Sequence, residues 1–307
     1  MELIDTHKLL SLRPSSVRPR LGPRDETLPL SPATLLPALG TAPLLEVPLA
    51  WGGWVQAVLR GAASVDAPLC ISLDAEGGVE RGGPRGLHEG VGAALAHARK
   101  AGFRRPLVVH ARLGLVDSED ADAVDLARLR VLEAVDAGAT SVGLGAFGEA
   151  GVVARLLKDL LLPAEQNGVG VVVQLLDSGQ ATVVPAELQT VFDVDAYMAP
   201  PTVTLQPRRE SPVEIPLAPP FPAWVDGAAL FAGTIRSVLK DVPDPLAAAL
   251  VALWDAAADP RRDRLEMRMY DRAAEVLEKL GARGSAGAAM VQLSRDEPPV
   301  EESRSSN

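Results

Sequence analysis

Cysteine occurs once in this 307-residue chain, at Cys70, and histidine four times. One cysteine excludes an internal disulfide and any cysteine-cluster metal site. Cys70 sits in the apolar run Pro68-Leu69-Cys70-Ile71 and reads as an inert core thiol. No two of His7, His88, His97 and His110 have the spacing of a metal-ligand pair, so no structural zinc is expected. Basic residues are also in deficit: Lys and Arg number 30 against 40 Asp and Glu, a net charge of -10. That balance argues against a nucleic-acid partner, because neutralising phosphates needs a basic surface. No run of about 18 apolar residues is present, so no membrane-spanning helix is expected. The first residues lack an apolar core with basic flanks of the secretory kind, and the expectation is a cytoplasmic protein.

What the chain does have is a rhythm. Hydrophobic residues make up 47% and charged residues 23%, and the length suffices for one barrel-sized α/β domain. Residues 1–40 are proline-rich and locally basic and read as an arm lying on the domain or on a partner. From residue 41 to 223, short apolar runs alternate with helical segments. Ala101-Gly102-Phe103, Ala137-Gly138-Ala139 and Asn167-Gly168-Val169 each close a helix shortly before an apolar strand, a weak βα repeat. One of these helices opens near Ser118-Glu119-Asp120 and runs through Leu126, Leu129, Leu132 and Val135 at helical spacing. Six such units give a (β/α) barrel, incomplete or irregularly closed, or an open doubly wound sheet. Val203–Leu205 and Val213–Ile215 are candidate closing strands in the proline-rich 200–223. Residues 224–283 read as a helical C-terminal segment, on whose last helix Met267, Tyr270, Ala274 and Leu277 form an apolar stripe read as core. Residues 284–307 read as a disordered tail.

Strand parity locates a candidate site. Glu46 shares a strand face with Leu44 and Pro48; Asp74 shares one with Cys70 and Ser72; His110 and Arg112 share one with Val108; Gln174 shares one with Val172. Each strand has one wholly apolar face and one that turns polar late, as a barrel with helices outside and a site at its C-terminal mouth requires. Glu46, Asp74 and His110 are the candidate catalytic residues. Arg112 and Gln174 are the candidate ligand-binding side chains, with Arg112 suited to a carboxylate or phosphate. Glu46, Asp74 and Glu76 are the oxygen donors for a weakly held magnesium or manganese ion at most. The competing reading of the same charges is an internal tie, Arg112 with Glu46 or Asp74. Gly143-Leu144-Gly145-Ala146-Phe147-Gly148 matches a dinucleotide-binding pattern, but the acid such a site needs comes too late, at Asp177. Gly143 and Gly145 are read instead as a backbone turn that cradles a phosphate.

Pro43-Leu44-Leu45-Glu46 and Ala134-Val135-Asp136-Ala137-Gly138-Ala139-Thr140-Ser141-Val142 resemble segments of the class II, metal-dependent aldolases and the tagatose-bisphosphate aldolase accessory subunits. The likeness covers about residues 41–200. It implies a barrel that binds a small anionic, sugar-phosphate-like metabolite and acts as a carbon–carbon lyase or isomerase. The family's zinc-binding Asp-His falls on Asp74-Ala75 or on Ala111-Arg112, and in neither place is the histidine present. Nothing after His110 is histidine. The alternative is therefore a catalytically silent accessory subunit or assembly scaffold. In either case the resemblance implies a homo-oligomer or a partner subunit, contacted through the N-terminal arm and the C-terminal helices.

Overall fold

The computed structural model describes residues 4–49, 54–75, 86–117, 119–147, 150–177, 180–181, 196–197, 224–226, 231, 234 and 260–295. Glu76, the loop above residue 75 and the candidate closing strands at 203–205 and 213–215 lie outside these. The body is a mostly parallel α/β sheet of the (β/α) barrel type. Its strands are β1 (Leu28–Pro29), β2 (Leu44–Pro48), β3 (Leu69–Asp74), β4 (Pro106–Asp117), β5 (Ser141–Phe147), β6 (Gly170–Asp177), β7 (Gln180–Ala181), β8 (Ala196–Tyr197) and β9 (Trp224–Asp226). The helices are α1 (Thr6–Ser11), α2 (Pro32–Leu39), α3 (Val55–Ser64), α4 (Leu87–Ala101), α5 (Ala121–Ala137), α6 (Ala150–Gln166), α7 (Pro260–Lys279) and α8 (Ser285–Arg295).

The strand order distinguishes a barrel from a doubly wound sheet. β2, β3, β4, β5 and β6 pair in sequence, all parallel, with β8 beside β6. β9 then returns to pair in parallel with β2, Leu44 opposite Trp224 and Glu46 opposite Asp226. A doubly wound sheet reverses its order partway, whereas a barrel brings its last strand beside its first. Among the described residues the ring is interrupted between β8 and β9.

The repeat junctions behave as the sequence predicts. Gly102 and Gly138 follow α4 and α5 in the left-handed conformation, with φ of 63° and 91°. Each donates its backbone N–H to the preceding turn and ends the helix there. Asp120 caps α5, its carboxylate accepting from the N–H groups of Asp122 and Ala123. The glycine-rich stretch after Thr140 differs from expectation. Gly143 and Gly145 are not a phosphate-cradling turn but ladder residues inside β5, paired with Arg112 and Leu115 on β4 and with Val172 and Gln174 on β6.

Two apolar clusters sandwich the sheet. Leu45, Val47, Leu69, Ile71, Leu107, Val109, Val142 and Val171 point outward into a core with α3 to α7. Leu44, Cys70, Val108 and Val172 point inward and meet Leu9 of α1, Leu35 and Leu36 of α2, and Ala289 and Leu293 of α8. Residues 5–39 lie on the domain. They form a plug against the N-terminal ends of the barrel strands, with β1 hydrogen-bonded to the start of β4. Ser31 and Pro32 start α2: the Ser31 hydroxyl accepts from Thr34 N–H, and proline fits the first helical turn because its missing N–H would have no partner there. The stretch from 284, expected as a tail, likewise begins with a helix. Gly284 donates its N–H to Val65, Ala286 to the Asp66 carbonyl, and Gly287 to the Asp66 carboxylate, which pins α8 to the loop before β3.

The apolar stripe expected in the core on α7 is only half buried, and the leucines at helical spacing on α5 face outward. On α5 the buried residues are Ala127, Val131, Ala134 and Ala137, while Leu126, Leu129 and Leu132 are exposed. On α7, Leu265, Met269, Ala273, Val276 and Leu277 are buried, and Met267 and Tyr270 are exposed. The cause lies in close approach. Small residues let α5 sit low on the sheet, and a Cβ on Gly61 of α3 would come 2.5 Å from the carbonyl oxygen of Tyr270.

Candidate functional site at the strand ends

Within the barrel, each inward-pointing row has a fixed height set by the parallel register. In the lower row Glu46 lies level with the apolar Cys70 and Val108. Above it Ser72, His110 and Ser141 bring polar atoms inward, opposite one another across β3, β4 and β5. Asp74, Arg112 and Gly143 form the next row.

Glu46 is fully buried and pairs with the Arg112 guanidinium, which reaches back down from two rows above. The Arg112 side chain itself is 28% exposed, so the ion pair links the closed interior to the mouth. The internal tie anticipated between Arg112 and Glu46 is therefore present, with Glu46 and not Asp74 as the partner. Asp74 is exposed at the tip of β3. Gln174 is placed opposite Gly145 in the register between β5 and β6.

His110 is wholly buried and shares a 2.8 Å hydrogen bond between its Nδ1 and the Ser141 hydroxyl. Its ring lies over Gly143, where a Cβ would stand 2.7 Å from both Cε1 and Nε2. Gly143 therefore leaves room for the ring. Burial, reinforced by the nearby Arg112 charge, pushes the His110 pKa from 6.5 down to about 3. The imidazole is neutral across the physiological range. It is not a ready proton donor of the kind an imidazolium would be.

Ser141 and Ser72 are not among the residues that the sequence singles out. Both were legible in principle, since each occupies the parity position that the register sets beside His110. Asp226, which the register places next to Glu46, was not, because β9 is separated from β2 by well over a hundred residues.

The described histidines each have other surroundings. His110 is engaged by Ser141, His88 is on the outer helix α4 beside Arg20 and Asp136, and His97 contacts Gln56. Among the described residues no three His, Cys, Asp or Glu side chains come together as a metal site. Of the oxygen donors considered for magnesium or manganese, Glu46 is ion-paired with Arg112 and Glu76 lies outside the described residues.

Comparison with solved structures defines the fold class. The chain superposes on the YdjI aldolase of Escherichia coli K12 with a TM-score of 0.51 and 15% identity, covering 83% of this chain and 96% of that one. It superposes on a protein described as a fructose-1,6-bisphosphate aldolase of Coccidioides immitis with a TM-score of 0.50 and 13% identity, covering 82% and 97%. The sequence matches no family model and no curated protein. The architecture is a (β/α) barrel like theirs, and at such identities it is the fold alone that is shared.

Proposed function

We propose that this aldolase-type barrel binds a small anionic metabolite of the sugar-phosphate class at the C-terminal mouth of its sheet. The observation that carries the reading is the Arg112 guanidinium, part exposed at the mouth and held from below by a carboxylate with no solvent exposure. A guanidinium held by a carboxylate has its planar fork in a set orientation, which suits phosphate or carboxylate recognition. Strand C-terminal ends are where barrels of this type place their ligands. Glu46 acts in this reading as a positioning residue, and Asp74 and Gln174 as rim residues. A lyase or isomerase version places His110 as a neutral base whose Nδ1 is oriented by Ser141.

A second reading, a catalytically silent accessory subunit or scaffold, is favoured by a separate observation. His110 is buried and neutral, the Glu46 carboxylate is engaged by arginine, and among the described residues no three metal-ligating side chains come together.

Thermal unfolding of the wild type and of Arg112→Lys, with inorganic phosphate and a panel of sugar phosphates, tests the first reading. Lysine keeps the charge and loses the planar fork. The wild type is expected to gain about 2–3 kcal/mol at a hundredfold excess of ligand over Kd, and the variant much less. A wild type that none of these anions stabilises leaves the scaffold reading standing. Aldol cleavage of any stabilising ligand supports the lyase version.

A further inference from the structure

The apolar side chains exposed on α5 and those exposed on α7 are complementary to each other. On α5, Leu126, Leu129 (63% exposed) and Leu132 run along the outer face, flanked by the exposed acids Asp122, Asp125, Glu133 and Asp136. Two of those acids have local partners, Asp125 with Arg128 and Asp136 with His88. On α7, Met267 (59% exposed) and Tyr270 lie beside Arg268 and beside Arg261 and Arg264, which have partners of their own, with Asp263 and Asp271 on the same outer surface. Glu266 of α7 is held by Arg60 and Arg262. These two faces hold five of the seven large hydrophobic side chains exposed among the described residues. Scattered single exposures need no explanation, but contiguous stripes with a charged rim mark association surfaces.

We infer that the α5 face of one copy of this chain docks on the α7 face of a second copy. Charge chooses between this and the simpler two-fold contact of α5 with itself. An antiparallel α5 pair centred on Leu129 sets Asp125 opposite Glu133 and Asp122 opposite Asp136, so acid meets acid. Like charges brought together at an interface cost several kcal/mol. Against α7, the acids of α5 meet the arginine edge, while Leu126, Leu129 and Leu132 cover Met267 and Tyr270. The two faces sit at different places around the barrel: α7 packs on α3, and α5 lies between α4 and α6. The contact is therefore heterologous, and it builds a ring if the rotation closes and a filament if it does not.

Two charge-reversed proteins test it, with full-length chain and sedimentation velocity as the readout. One carries Asp125→Arg and Glu133→Arg, the other Arg264→Glu and Arg268→Glu. Self-association of each alone should weaken about a hundredfold or more relative to wild type, as facing like charges require. An equimolar mixture should reassemble, because each reversed face then meets its complement and each native face does too. Circular dichroism and melting curves establish that both proteins are folded; if either is not, Leu129→Asp and Met267→Asp replace them and should each disperse the assembly. A monomeric wild type overturns the inference. So does an α7 variant that assembles like wild type, which would assign the contact to α5 alone, and so does a mixture that stays dispersed.

Discussion

The two faces of the sheet come from the same strands yet are built on different principles. Outward, every position from Leu45 to Leu144 is apolar and packs against helices in one continuous core. Inward, the apolar Cys70 and Val108 share their row with Glu46, and the next row is Ser72, His110 and Ser141, all buried. Burial without polar partners stabilises the outer face through area removed from water, about 25 cal/mol per Å². The inner face bears a desolvation cost at each polar atom and recovers it only through specific pairs such as Glu46–Arg112 and His110–Ser141. An outward substitution should therefore act in proportion to the volume changed. An inward one should depend on which partner it strands.

The largest expected effect tests that contrast directly. Arg112→Met leaves the buried Glu46 carboxylate without its cation and should lower stability by about 3 kcal/mol, the low end for a buried pair because the guanidinium is part exposed. Adding Glu46→Leu should recover most of the loss, since an apolar pair of similar volume commonly replaces a buried ion pair without penalty. Urea unfolding of the single and double variants gives the answer. A double variant as unstable as the single would mean that the inner face depends on volume, as the outer one does.

Next in size is the pH response. The native His110 pKa is depressed to about 3 while the unfolded value is near 6.5, so the unfolded state binds more protons between these limits. The stability linked to a neutral His110 is complete above pH 6.5 and is lost as pH falls toward 3. By pH 4.5 the loss should reach about 2–3 kcal/mol. His110→Gln should flatten that part of the stability profile, which is read as the difference between the two proteins so that carboxylate titration cancels. Equal slopes in both would show that the imidazole reaches water.

Gly143→Ala should cost about 1–3 kcal/mol, the range for overpacking a closed site, because the new methyl meets the His110 ring. In a His110→Ala background the same change should cost little, and the non-additivity measures the contact. Additive costs would place the strain in the β5 backbone instead.

How much of this is legible in the sequence follows from range. Alternation along a strand is a local pattern, so residue order alone reveals the polar face carrying Glu46, His110 and Arg112, and likewise the glycine stops at Gly102 and Gly138. Which alternate residues of a helix are buried depends on how closely a neighbour approaches. Leucines at helical spacing on α5 have the pattern of a core face, yet alanines permit the tighter packing and take that place. The N-terminal plug is masked by proline content, although Ser31-Pro32 is a good helix start and open to detection. The register neighbours of His110 need strand pairing, which no single segment contains. The phosphate-turn reading of Gly143 fails because a glycine that leaves room for a ligand and one that leaves room for a side chain look alike in sequence.

The smallest effects divide the two inward serines. Ser141 shares a hydrogen bond with His110, so Ser141→Ala should cost about 1 kcal/mol and leave the ring less firmly oriented. Ser72, equally buried and one strand away in the same row, has no hydrogen-bond partner for its hydroxyl among the described residues. A buried hydroxyl without a partner is a cost of folding, so Ser72→Ala should be neutral or slightly stabilising, by up to about 1 kcal/mol. Its effect on anion binding is separate and more telling. If the ligand reaches down to this row, the hydroxyl meets its partner only in the complex, and Ser72→Ala should reduce the ligand-induced rise in Tm while leaving the ligand-free Tm unchanged or higher. If the ligand stops at Arg112, both serine variants should keep the full rise. Melting curves of the two variants with and without a stabilising sugar phosphate thus read the depth of the site from a pair of residues that differ only in whether the protein already satisfies them.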